Sequence, residues 1–325
     1  MSTLRSFIRL FFALLLAFAC GAAQAQQFPN KPIRLVNPFP PGAPTDILGR
    51  MVAQRLSDLL GVNVVPDNRA GAGGNVGIEL VAKSLPNGYT LGVFSCTVSI
   101  SPSLYANLPY NAEKELAAVA RLAAIHNVLL VRPSLPVKTL REFIELARSQ
   151  PGKLNFGSGG AGTTNHLANE LLMYLEKIKM VHVPYKGATV AVTSLIGGEV
   201  DEVTVSAATV VEQVRTGKVR ALAVLSEKRL GILPEVPTAM ESGVKDFVMF
   251  FWAGMFAPAG TPRDVILRLN RTTVAALTAP DFRDKLSATG FEPWPSTADE
   301  FASFVKAETA RFGAIIRNAG LRANM

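Results

Sequence analysis

The chain is poor in the residues that carry covalent and metal chemistry. It has two cysteines, Cys20 and Cys96. The first falls in a segment expected to be removed, so the mature chain can form no internal disulfide. Three histidines, His126, His166 and His182, are scattered without the local partner spacing of a zinc site. Charged residues make up only 18% of the chain, with no basic run of five and no aromatic interleaving. That argues against nucleic acid as a partner. Beyond residue 25 no stretch approaches 18 uninterrupted apolar residues, so no later segment reads as a membrane span.

The signatures of common enzymes are missing as well. From Gly157, "GSGGAGTT" has the glycine spacing of a P-loop, but Thr163 stands where the phosphate-neutralising lysine belongs. "GAGGNVG" (71 to 77) has Val76 in place of the third glycine of a dinucleotide fingerprint, and it reads as a loop of structural glycines. There is no G-x-S-x-G elbow. Cys96, in "VFSCTVSIS", has no charged neighbour to lower its pKa and reads as a packing residue. Asp46 and Asp201 sit at element ends, where capping accounts for them, and no pair of acids assembles for general acid–base work.

What is present begins with an export signal. Arg5 and Arg9 precede the ten-residue apolar run "LFFALLLAFA", and "AQA" ends at Ala25. That is the order of a signal peptide with cleavage after Ala25, and the run is half the length of a membrane span. Lipidation at Cys20, giving an anchored lipoprotein, is the second option; "AFA" before it lacks the usual leucine. The formal charge of +8 becomes +6 once Arg5 and Arg9 are removed. The surplus suits small anions, and equally plain solubility.

The remaining 300 or so residues suit two domains. Apolar strands alternate with amphipathic helices: "PIRLVNPF", then a helix with Leu48, Val52 and Leu56 on one face, Thr45 as N-cap and Gly61 as C-cap. The rhythm restarts after residue 125 with "NVLLVRP", "LNFGSG", "MVHVPY", "VDEVTVS" and "VRALAVLS". A long apolar strand, "FVMFFWAGMFAPAG", and two helices from about 262 and 297 close the chain. Such alternation implies parallel sheets flanked by helices, with ligands beyond the carboxyl ends of the strands. Two turns are placed for that role, "FPPGAPTD" (39 to 46) and "GSGGAGTTN" (157 to 165), one in each half. Helix-start N–H groups and the hydroxyls of Thr45, Ser158, Thr163 and Thr164 would form a neutral cradle suited to a carboxylate. His166 could meet a ligand or hold the loop, and His182 reads as a packed polar residue.

These stretches also spell a family. With "DNRAGAGGNVG", "NGYTLGVFS", "SPSLYANLPY", "VHVPYKG", "LPEVPT" and "FAPAGTP" in order, nearly all of the mature chain resembles the solute-binding receptors of tripartite tricarboxylate transporters, the Bug family. The resemblance implies an α/β, two-domain periplasmic binding protein, type II-like, with the ligand cleft between the domains. Those domains would be 26–125 plus 246–325, and 126–245, with crossing segments near 117–131 and 244–256. It implies a non-enzymatic, cofactor-free receptor that presents a small organic acid to membrane transporter subunits, or to a sensor kinase, and works as a monomer. A periplasmic hydrolase or isomerase of a carboxylate is the rival from another class. Carried over by position, the ligand-binding residues are Pro41, Gly42, Ala43 and Thr45 on the first loop, and Ser158, Gly160, Gly162 and Thr163 on the second. Ser95, Thr97, Tyr185, Lys186 and Ser206 lie near the family's cleft. Ala43 and Pro44 replace a Gly and an Ala usual in relatives, and Pro44 removes an N–H donor. Val205 and Ser206 replace an Asp and an Asn, which disfavours an amino-acid ligand. Phe250, Phe251 and Trp252 either wall the ligand or pack the core.

Overall fold

A computed structural model describes residues 28–160 and 162–322. The signal segment, with Cys20, lies outside the described residues. Strand β1 (Ile33–Asn37) shows why the short apolar runs become sheet: successive side chains bury opposite faces. Leu35 packs under helix α1 (Pro44–Leu60) with Leu48 and Val52, while Val36 packs on the other side with Ile78 of helix α2 (Asn75–Ala82). A strand covered on both faces carries no polar alternation.

Strands β2 (Val64–Asn68) and β3 (Thr90–Ser95) flank β1 in parallel. Helix α3 (Thr97–Leu104) and the single turn α4 (Ala112–Glu115) lead into β4, which runs unbroken from Leu116 to Val131. In the second half, β5 (Asn155–Ser158) lies parallel to both β6 (Val181–Pro184) and β7 (Glu202–Ser206). Strand β8 (Arg220–Val224) and the long β9 (Phe250–Pro258) complete the strands that β4 organises.

The sheet is parallel toward both ends and antiparallel at its centre. β9 joins β3 on one edge and β4 on the other, and β4 then joins β7, giving the order β2-β1-β3-β9-β4-β7-β5-β6. Up to His126, β4 pairs with β9; from Asn127 onward it pairs with β7 and β8. One strand therefore serves both halves. Register shifts against β9 near Ala118–Ala123 bend it on the way.

Helices α5 (Leu140–Ser149), α6 (Thr164–Glu176), α7 (Ala188–Gly197) and the short α8 (Val211–Arg215) cover the second half. Three helices, α9 (Arg263–Thr278), α10 (Pro280–Ala288) and α11 (Ala298–Asn318), end the chain where two were expected. Pro280 at the first position of α10 separates it from α9 after only Ala279. Between α10 and α11, β10 (Glu292–Pro293) adds a short antiparallel pairing to β4. Thr297 and Glu300 form a capping box that starts α11, which packs on α3, β4 and α6 and so bridges the two halves. Among the described residues no helix is long and apolar enough to cross a membrane.

Candidate functional site

The carboxyl end of β1 carries the first loop. α1 begins at Pro44, with Ala43 as an N-cap that offers no side-chain bond. Thr45 is therefore not the N-cap that its sequence position suggested. Proline at the first helical position forfeits an N–H that the helix does not use, and the cap falls to the residue before it. Asp46 takes over the job from inside the first turn. Its carboxylate accepts the Gly42 N–H at 2.9 Å, Asn68 Nδ2 at 2.8 Å and Arg50 Nε at 3.0 Å. Burial opposes its ionisation, yet the bonds from Arg50, Asn68 and Gly42 outweigh burial and hold it below the usual carboxylate range.

That network uses most of the donors of this loop. The Gly42 N–H points to Asp46 and the Ala43 N–H to the Pro40 carbonyl at 3.2 Å. Pro41 and Pro44 have no N–H. Thr45 is buried with its hydroxyl unpartnered, and Asn37, at the end of β1, is buried with both Nδ2 and Oδ1 unpartnered. An unmet buried polar group costs about 1–3 kcal/mol. Beneath the loop, the 71–77 glycines prove structural. A Cβ on Gly77 would lie 2.8 Å from Pro38 Cα, and one on Gly74 would lie 3.2 Å from the Phe39 ring.

The second loop is held from within. Ser158 Oγ lies 2.6 Å from His182 Nε2 and accepts the Gly160 N–H at 3.1 Å. Thr163 Oγ1 donates to the Gly160 carbonyl at 2.7 Å and caps α6. The Gly162 N–H donates to His166 Nδ1 at 3.0 Å, and His166 Nε2 faces Glu170 Oε1 at 3.2 Å. His166 thus holds the loop, and its partner Glu170 was missed in sequence although four residues along a helix put the two side chains together. The rings of His166 and His182 stack at 3.9 Å. Burial, then the neighbouring His166, depresses His182 to about 4.

The remaining candidates sit around these loops. Ser95 Oγ and Thr97 Oγ1 are 2.9 Å apart at the β3–α3 junction. The Tyr185 N–H donates to the Ser158 carbonyl, and its ring comes within 3.2 Å of where a Gly157 Cβ would stand. Lys186 is exposed beside it. Ser206 ends β7 opposite Asn127, and its carbonyl accepts from Thr209 Oγ1 at 2.8 Å. Trp252 is wholly buried with Nε1 on Glu308 at 3.0 Å, so it packs the core. Phe250 instead meets Trp294 edge-on and lines a cavity of about 920 Å³ with His126, Glu227 and Arg311.

The two halves touch on either side of the crossover. A Cβ on Gly162 would meet Leu104 Cδ2 at 2.7 Å, and one on Gly290 would meet Ala208 Cβ at 2.7 Å. A further cavity of about 500 Å³ lies near the second contact, lined by His126, Ala208 and Glu292 among others; neither cavity is lined by the two glycine loops. Among the described residues no three His, Cys, Asp or Glu side chains group as metal ligands. Burial pushes the Cys96 thiol up to about 12, which makes it an inert packing residue.

Comparison with known proteins agrees with this frame. A family model described as "Tripartite tricarboxylate transporter family receptor" matches residues 48–321. A protein of a Pseudomonas species, encoded between tcbD and tcbE, is 36% identical over 97% of this chain and 95% of its own. Protein BugT of Bordetella pertussis is 34% identical over 99% of each chain. Among solved structures, Rpa4515 of R. palustris with adipate is 32% identical with a TM-score of 0.78, covering 92% of this chain and 100% of its own. MatC of Rhodopseudomonas palustris with bound malate is also 32% identical, with a TM-score of 0.72 and coverage of 89% and 100%. The chain belongs to the receptor family of tripartite tricarboxylate transporters, the periplasmic solute-binding proteins that include the Bug receptors.

Proposed function

We propose that this receptor captures a small organic carboxylate between the loops at 39–46 and 157–165, and that 26–125 plus 246–325 close on 126–245 around it. The observation that carries the reading is topological. The parallel strands β1 and β3 in one half, and β5 and β7 in the other, all end in polar residues, Asn37, Ser95, Ser158 and Ser206, on strands joined through β9 and β4. Ligands of open α/β sheets sit at such carboxyl ends. Thr45, Thr97 and the first turn of α6 supply donors there, while Gly160, Gly162 and Thr163 shape the loop. The adipate and malate held by two relatives support a carboxylate as the ligand class.

The receptor acts in the periplasm after removal of residues 1–25, as a monomer, and delivers its ligand to membrane transporter subunits. Adjacent genes for two membrane subunits favour delivery; a sensor-kinase gene in their place favours signalling. Catalysis is disfavoured on chemical grounds. Ser158 and His182 form a hydroxyl–imidazole pair, but Ser158 is fully buried and His182, at about 4, is a weak base.

The test is a thermal-shift screen of the mature protein against mono-, di- and tricarboxylates, amino acids and small aromatic acids. A ligand present at 100 times its Kd adds about 2.7 kcal/mol to the folded state. Stabilisation by one acid class, with the acid recovered unchanged, is the expected result. Turnover of the acid would replace the receptor by an enzyme.

A further inference from the structure

From the unpartnered side chains at the end of β1, we infer that Asn37 and Thr45 form a selectivity element, which favours a carboxylate bearing a neighbouring hydroxyl over the same acid without one. The inference rests on the carboxylate reading above and deepens it. Asn37 follows Ile33 and Leu35 on the face of β1 that packs against α1, in a layer otherwise filled by Leu48, Val52 and Val93. An aliphatic residue would fit that layer, yet the position holds a carboxamide at 3% exposure with neither polar atom partnered. Its Nδ2 lies 3.9 Å from where a Gly49 Cβ would stand, so the amide reaches under the start of α1. Thr45, in the first turn of α1, is buried at 1% with its hydroxyl also unpartnered.

Backbone N–H groups at this end of the site can hold a carboxylate but cannot accept from a hydroxyl. The Gly42 N–H is bound to Asp46 and the Ala43 N–H to Pro40, which leaves the N–H groups of Phe39 and Thr45 and the side chains. A carboxylate accepts from Asn37 Nδ2 and from the Thr45 N–H and hydroxyl. It offers nothing to Asn37 Oδ1, which is an acceptor and needs a donor. A hydroxyl beside the carboxylate supplies it. An ammonium group would also donate, but it requires a free acid, and the nearby Asp46 is already held by Arg50, Asn68 and Gly42. A site that hydrogen-bonds a hydroxyl discriminates strongly against the analogue lacking it, because its polar groups are then left unpaired.

Matched acids test this by calorimetry: malate against succinate, lactate against propionate, citrate against tricarballylate. The wild-type protein is expected to bind the hydroxy member of at least one pair about tenfold or more tighter. In Asn37→Val the two members should converge to within about twofold, because the acceptor is gone. Both members should weaken, because the Nδ2 donor to the carboxylate is lost as well, and the hydroxy acid should weaken by more. Thr45→Val should weaken both members together. Equal wild-type affinity for both members of each pair that binds overturns the inference and leaves the carboxylate reading standing. So does an Asn37→Val protein, folded by its melting transition, that keeps the wild-type ratio. Binding of no acid defeats the carboxylate reading and this inference with it.

Discussion

His166 and Gly162 are joined by a hydrogen bond of 3.0 Å in which the glycine N–H donates to the imidazole Nδ1. The bond turns the other ring nitrogen, Nε2, toward the Glu170 carboxylate, 3.2 Å away. A glycine-rich loop has no side chains with which to hold its own shape, so a buried ring behind it does so. In His166→Leu the Gly162 N–H and the Glu170 carboxylate lose their partner. The expected cost is about 1–3 kcal/mol of stability, measured by urea unfolding, with a weaker ligand Kd because the loop is no longer preformed. A variant as stable and as tight-binding as the wild type would show that the loop keeps its shape without the ring.

Gly162 is constrained a second time, by its backbone. At φ +76° it occupies the left-handed region, and a Cβ there would strike Leu104 Cδ2 at 2.7 Å. Gly162→Ala is expected to destabilise by roughly 1–2 kcal/mol from the backbone alone, with the collision added. The double variant with Leu104→Ala removes the collision and retains the backbone strain. Its unfolding energy should therefore show positive coupling, the pair costing less than the two single changes together. Simple additivity would mean that the halves do not touch there in solution.

Glu202 gives the fold a pH signature. It is fully buried on β7; its Oε1 accepts from Thr204 Oγ1 at 2.7 Å, while Oε2 and the Asn169 Oδ1 both lack partners. Burial raises its pKa from 4.5 to about 8, against the weaker opposing bond from Thr204. The folded state keeps a proton that the unfolded chain releases above pH 4.5. This contribution to stability is whole below pH 4.5 and is lost as pH rises through 8. Glu202→Gln replaces the carboxyl O–H by an amide donor that never titrates. Its stability relative to the wild type should climb between pH 4.5 and 8, by up to about 1.4 kcal/mol per pH unit. Chemical denaturation at pH 5 and pH 8 measures the difference, and a gap that does not change with pH contradicts a protonated Glu202.

The alternation of strands and helices was legible because β1, β3 and β7 are buried on both faces and read as apolar runs. The role of β4 was only half visible. "LAAVARLAAIH" is alanine-rich and ambiguous between helix and strand, and only its pairing with β9 settles it. Helix α3 was hidden by Pro102 and three serines. At the site, the loops could be located from glycine spacing, but not the use of their donors. Which N–H meets Asp46 or His166 depends on contacts between side chains and loops that no local pattern encodes. Asn37 looked like one more strand residue, and its burial without partners is a tertiary fact.

The most direct test of the whole account is a crystal structure of the mature receptor with the acid that stabilises it most. The ligand carboxylate is expected between the two glycine loops, its oxygens about 2.7–3.1 Å from the Thr45 N–H and from donors in the first turn of α6. Electron density for the acid in the cavity beside Ala208 and Glu292, or in the one beside Phe250 and Arg311, with the loops unoccupied, would contradict it.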